Sequence, residues 1–180
     1  MVDDAQLIAR SREVPEVFAE LYDRHAARLF RYVARRLGDQ AAEDVIAETF
    51  LAAFRRRDRY DLSRPDARPW LYGIAVKVIG KHRRSELRML RALARIGADA
   101  AGDGEAERSD ERMAAAAIRC ELAAALAQLR PENRDVLLLV AWAELSYEEI
   151  SQALEIPIGT VRSRLARARR QIREALADAD

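Results

Sequence analysis

The residues best suited to chemistry lie near the end of the chain, in "LSYEEISQALEIPIGTVRSRLARARRQIREAL". From Ile156 to Arg173 there are six arginines and no acid, whereas the 180-residue chain carries a formal net charge of only +1. A guanidinium presents five N–H donors in a planar fork that fits phosphate oxygens or the edge of a guanine, so an acid-free row of arginines suits a polyanion. The plainest reading of such a run is a solvated helix face. Three features argue beyond it: the run follows a short interhelical turn, it holds no acid for pairing within the helix, and the small or hydroxylated Gly159, Thr160 and Ser163 stand at its start. Exposed N–H groups at a helix N-terminus suit a phosphate, and arginines one turn further reach base edges in a major groove. Arg162, Ser163, Arg164 and Arg167 are the candidate reading residues, with Val161, Leu165 and Ala168 as the packing face. One bidentate arginine on guanine is worth about 1–3 kcal/mol of discrimination.

Other chemistries find less support. Cys120 is the only cysteine, and His25 and His82 are the only histidines. No cluster has zinc-ligand spacing and no intramolecular disulfide is possible, so neither a metal nor a cofactor is expected. Cys120 is expected as a small buried helix residue. The stretch "GIAVKVIGKH" resembles a phosphate-binding loop ending in Gly80 and Lys81. Its spacing from Gly73 is too long, no Ser or Thr follows the lysine, and the segment is helical. Glu43, Asp44 and Glu48 have no partner base or nucleophile, so no enzymatic activity is expected. Lysine occurs only at positions 77 and 81 beside abundant arginine and alanine, a bias that GC-rich coding also produces and that weakens any argument from arginine count alone.

The elements that must position these residues are helices. Half of the residues are apolar and a third are charged, as in a globular chain able to bury a core. Apolar runs such as "DVLLLVAWA" fall short of the ~20 residues a membrane span needs. The N-terminus has no apolar stretch of the secretory kind, so the chain is expected in the cytoplasm. Alanine, leucine, arginine and glutamate dominate without alternating β-branched runs, which predicts an all-α protein. A first helix is expected from about Pro15 to Leu37, with Phe18, Tyr22, Leu29, Val33 and Leu37 inward and Gly38 ending it. A second runs from about Ala41 to Arg57, carrying Val45, Ile46, Phe50 and Phe54. A third starts near Pro69 and continues to Arg84, with Trp70, Leu71, Ile74, Val78 and later Leu87 apolar, and Lys77, Lys81 and Arg84 on one polar stripe.

The segment "GADAAGDGEAERSDE" has no apolar period and reads as a flexible acidic linker. Two helical domains, 1–96 and 112–180, are therefore expected around a linker at 97–111. In the second, one helix ends before Pro131 and another opens there. Ser146 and Glu149 form a capping box, with Leu145 and Ile150 as the apolar staple. A last helix runs from Pro157 to about Ala177, so two helices meet through "LEIPI" in helix-turn-helix geometry. No further regulatory domain is expected beyond it.

At this point a resemblance enters. "YEEISQALEIPIGTVRSRLARAR" resembles the region-four helix-turn-helix of bacterial extracytoplasmic-function (ECF) sigma factors, of the sigma-70 family. "AEDVIAETFLAAF" followed by "PWLYGIAVKVIGKHRRSE" resembles their region two, and the likeness spans roughly Phe18–Ser85 and Glu121–Leu176. It implies a protein that binds core RNA polymerase and directs it to promoter DNA, region two handling the minus-ten element and region four the minus-thirty-five element. It assigns Gly159, Thr160, Arg162, Ser163, Arg164 and Arg167 to the minus-thirty-five element. Lys77, Lys81, Arg83 and Arg84 go to the opening minus-ten strand, with Trp70 either stacking on a base or packing in the core. Asp44 and Glu48 go to a docking helix for the largest polymerase subunit. Such factors are often held by an anti-sigma factor, and no residue here identifies one. Ala47, Lys77, Lys81, Ser151 and Glu155 depart from the pattern, and Glu155 calls for a modified turn if its φ is positive. The rivals are a stand-alone helix-turn-helix regulator of duplex DNA and an adaptor whose basic helices bind an acidic partner.

Overall fold

A computed structural model describes residues 2–99 and 109–177, and among them there are nine α-helices and no strand. The all-α expectation holds, and an additional helix precedes those expected. Helix α1 (Asp4–Ser11) starts at a capping box in which the Gln6 amide donates to Asp3 and the Asp3 amide to the Gln6 side chain. Buried Asp4 then accepts from Arg24 at 3.1 Å, His25 at 2.7 Å and the Ala67 amide at 2.9 Å. This pins α1 to the loop that leads into α4. Burial raises the Asp4 carboxyl, but the hydrogen bonds from His25, the Ala67 amide and Arg24 outweigh it and leave the group below the usual carboxylate range.

A 3-10 turn at Pro15–Val17 leads into α2 (Phe18–Leu37), which Gly38 ends at a φ of 85° that favours glycine. Helix α3 (Asp39–Arg56) follows at once and packs on α2 as a hairpin. Tyr22, expected inward, is 46% exposed, although its ring still meets Phe50 edge-on at 4.7 Å. Helix α4 (Arg68–Lys81) is buried on nearly every side, because α3 covers one flank and α8 another. It does not reach Arg84 as the periodicity predicts. The chain leaves the helix at His82, just after Gly80, a poor helix former, and α5 (Arg83–Asp99) starts on a new axis that packs along α6.

The second half comprises α6 (Ser109–Gln128), α7 (Pro131–Ala141), α8 (Tyr147–Leu154) and α9 (Ile158–Ala177). The expected linker is thus helical at both ends, and its middle, 100–108, lies outside the described residues. Cys120 is half-buried rather than buried. The capping box at Ser146 is formed, with Leu145 and Ile150 buried beside it. Glu155 ends α8 in the left-handed region at φ 55°, so the turn keeps its geometry without a glycine. The Ile156 amide donates to the Ser151 carbonyl at 3.1 Å, and the Ser151 hydroxyl donates to the Ile156 carbonyl at 2.6 Å. These bonds offset the roughly 1–2 kcal/mol that a non-glycine residue loses there.

One apolar cluster runs through both halves, from Ile8 and Leu29 through Leu71 to Leu139, Ile150 and Val161. Where α2, α5 and α7 meet, it encloses a charged knot. Arg36 donates to Glu86 at 2.6 Å and to Asp135 at 2.6 Å, and Arg134 donates to the other Glu86 oxygen at 2.9 Å. Arg36 and Glu86 are each 2% exposed and Arg134 less still.

Candidate nucleic-acid interface

On α9 the sequence period separates two faces. Val161, Leu165 and Ala168 are buried, while Arg162 and Arg167 are exposed and Arg164 is half-buried. None of these three arginines makes an ion pair among the described residues. Arg164 and Arg167, with Arg170, border an open cleft of about 710 Å³ whose other side is Arg130 and Asn133. Sequence reading missed Arg130; its signal was a charged residue capping the helix that Pro131 opens. Gly159 is exposed and Thr160 half-buried at the helix start, but the Ser163 hydroxyl already donates to the Thr160 carbonyl at 3.1 Å.

The residues expected at the minus-ten element divide into three groups. Trp70 and Lys77 meet at a pocket of about 590 Å³, whose walls also include Arg56 at the end of α3 and Arg59 and Arg64 from the segment between α3 and α4. Trp70 is half-buried and lies 4.9 Å from the ring of Tyr60, whose hydroxyl donates to the Arg64 carbonyl at 2.8 Å. Trp70 is therefore both core-packed and pocket-lining. Lys81 turns instead toward α3 and pairs with Glu48. Arg83 and Arg84 are exposed at the start of α5, off the Lys77 stripe. The loop arginines escaped sequence reading because the loop has no period, although arginines flanking Tyr60 were visible in "RRRDRYDLSRPDAR".

Helix α8 closes the fourth side of this pocket. Glu155 accepts from Lys77 at 3.1 Å and Glu149 from Arg68 at 2.5 Å. Two residues that depart from the family pattern, Lys77 and Glu155, thus pair with each other. On α3, Asp44 is exposed and Glu48 partly so, and Leu51 on the same stripe is 48% exposed. That apolar residue on an acidic stripe was also missed by sequence reading. One group of possible metal ligands exists among the described residues, Asp4, His25 and Asp66, with ligand atoms within 4.8 Å of one another. Arg24, His25 and the Ala67 amide already occupy both Asp4 oxygens, so the group is a structural anchor. No described helix is long and apolar enough to cross a membrane.

The class of this two-part helical protein is that of the sigma-70 factors: Sigma-70 region 2 matches residues 21–95 and Sigma-70, region 4 matches residues 121–172. The ECF RNA polymerase sigma factor SigL of Mycobacterium tuberculosis (strain ATCC 25618 / H37Rv) is 42% identical over 159 residues, covering 87% of this chain and 86% of the relative. The chain belongs to the ECF RNA polymerase sigma factors, and its function is that of a sigma factor in transcription initiation. The solved structure of CnrH in complex with the cytosolic domain of CnrY is 27% identical with a TM-score of 0.64, over 98% of each chain. The sigma factor RpoE of Bartonella quintana, solved with the anti-sigma factor NepR, shares the fold at 21% identity and a TM-score of 0.53, over 94% of this chain and 97% of that one.

Proposed function

We propose that residues 1–96 bind core RNA polymerase and the minus-ten element, that residues 112–180 bind the minus-thirty-five element, and that 97–111 link them. The observation that carries this is that Arg162, Arg164 and Arg167 on α9 make no ion pair among the described residues and stand off the face that buries Val161, Leu165 and Ala168. Arg162, Arg164 and Arg167 read or hold duplex DNA there, helped by Gly159, Thr160 and Ser163 at the helix start. Trp70 and Lys77, with the loop arginines, take the separated strand, because stacking on an aromatic ring and charge along the backbone are what single strands require. Lys81, Arg83 and Arg84 extend that basic surface along the duplex edge. Asp44 and Glu48, with Leu51, form the polymerase-docking stripe. The work is recognition and strand opening in the cytoplasm, and no bond-making step is assigned to any residue. An anti-sigma factor is a further class of partner, as for the RpoE relative.

Purified chain should give promoter-dependent transcripts only with core polymerase; tight specific duplex binding by the chain alone, with no transcript, would favour a stand-alone regulator. Asp44→Arg is expected to weaken co-purification with core at least about tenfold, equivalent to ~1.4 kcal/mol, while circular dichroism stays unchanged. Unaltered co-purification would remove Asp44 from the docking stripe. Arg164→Ala should relax preference at one minus-thirty-five position by about 1–3 kcal/mol. A promoter pool selected with the variant that matches the wild-type profile would count against direct reading by Arg164.

A further inference from the structure

A second basic pocket lies away from both DNA faces. Arg28, Arg31 and Arg35 occupy one stripe of α2, at spacings of three and four residues, and open onto a cavity of about 240 Å³. All three are exposed, and none makes an ion pair or a hydrogen bond to another side chain among the described residues. Arg68, at the start of α4, forms a further wall. Its Nη2 is held by Glu149, and its buried Nε has no hydrogen-bond partner, although the Asp66 carboxylate lies 3.7 Å away. Tyr72 also lines this space: the residue is 4% exposed and its hydroxyl has no hydrogen-bond partner among the described residues. Burial raises the Tyr72 hydroxyl above the usual phenol range, and the charges of Arg68, Arg28 and Arg31 pull it back. Three guanidinium groups without an ion pair among the described residues, and a fourth already paired with Glu149 and Asp66, thus line a space whose one acid is Glu144.

The ligand class follows from charge, size and enclosure. Guanidinium groups recognise phosphate oxygens in pairs, two parallel N–H donors to two oxygens, and the three unpaired ones carry more positive charge than one phosphate neutralises. The cavity is smaller than the ~300–1,000 Å³ that encloses a whole drug-sized ligand, so it suits a compact group rather than a complete nucleotide. Its far wall is Trp142 and Glu144, between α7 and α8. We propose that this pocket binds a diphosphate group, free or as the tail of a nucleoside diphosphate, and that it is complete only while α8 lies against α4. Occupancy would then stabilise the packed arrangement by mass action and oppose assembly with polymerase, a consequence that rests on the sigma-factor reading above.

Isothermal titration calorimetry of the full chain with sodium diphosphate, and separately with ADP and GDP, tests the site without polymerase. One-to-one saturable binding near 0.15 M salt is expected, weakened at least tenfold by Arg28→Gln and by Arg31→Gln, exposed positions where folding is not at risk. Gly73→Ala, which leaves every arginine in place, should weaken it similarly by parting α4 from α8. Equal affinity for all three probes identifies free diphosphate as sufficient; tighter nucleotide binding adds a base contact at Trp142. No saturable heat, or equal binding of orthophosphate and sulfate, overturns the site. Displacement by a random single-stranded 12-mer at equal affinity would make it nucleic-acid surface instead. With core polymerase and no nucleotide substrates, saturating diphosphate should reduce assembly of the wild type and not of Arg31→Gln. Calorimetric binding with unchanged assembly overturns the coupling, whereas a chain that never assembles with core, even without diphosphate, fails the sigma-factor reading alone.

Discussion

Replacing Glu86 by alanine is expected to destabilise the protein by about 3–5 kcal/mol, the largest stability loss expected of any single truncation here. Its two oxygens accept from Arg36 and Arg134, and all three side chains are almost completely buried. Truncation would take the one ion-pair partner from the buried Arg134 and one of two from Arg36, which keeps Asp135. Arg134 would keep its bonds to the Leu126 and Leu129 carbonyls at 3.1 and 3.3 Å, but no carboxylate within ion-pair distance. The same knot joins α2 and α5 to α7, so the loss should also loosen the two halves. Urea unfolding followed by circular dichroism gives the measurement. A midpoint within error of wild type would show that water already reaches the knot. The fourfold replacement Arg36→Met, Glu86→Leu, Arg134→Met and Asp135→Leu should be far milder than Glu86→Ala alone, because it removes the charges together and leaves none unpaired.

That knot was not legible in the sequence, and the reason is physical. Arg36, Arg134 and Asp135 sit in helices that local period assigns correctly and Glu86 in one that it does not separate from α4, but each looks like ordinary surface charge until distant helices meet around it. Helix positions and ends were legible where a local device sets them: Gly38 at its positive φ, Pro131 at a first turn, the Ser146–Glu149 box. The end of α4 was not, because the apolar period of Leu71, Ile74 and Val78 runs on into Leu87 and only packing against α6 turns the axis at His82. For the candidate site, the reading helix was legible because one period separates Val161, Leu165 and Ala168 from the arginines. The basic loop around Tyr60 has no period to betray it, and the pairing of Lys77 with Glu155 needs two segments that are far apart in the chain.

Gly73→Ala is expected to part α4 from α8 while leaving every helix formed. A Cβ built at Gly73 would stand 2.1 Å from the Ala153 carbonyl oxygen and 2.9 Å from its carbon, both backbone atoms that no rotamer change can move. In a free helix the same change is favourable by about 0.8–1 kcal/mol, so the two settings give opposite signs. The ion pairs across this contact cannot hold it against the clash. Lys77–Glu155 is exposed on both sides and Arg68–Glu149 partly so, and such pairs contribute about 0–1 kcal/mol each. Small-angle scattering should therefore show an enlarged radius of gyration with unchanged circular dichroism. Because α8 walls the pocket that holds Trp70 and Lys77, opening should also strengthen binding of a single-stranded oligonucleotide by the chain alone. The apparent affinity scales with the open fraction, and a tenfold gain would mean that at most about one molecule in ten is open in the wild type. An unchanged radius together with a raised melting temperature would mean that α4 and α8 are already apart in solution. An enlarged radius without tighter oligonucleotide binding would mean that α8 packs on this face without masking it.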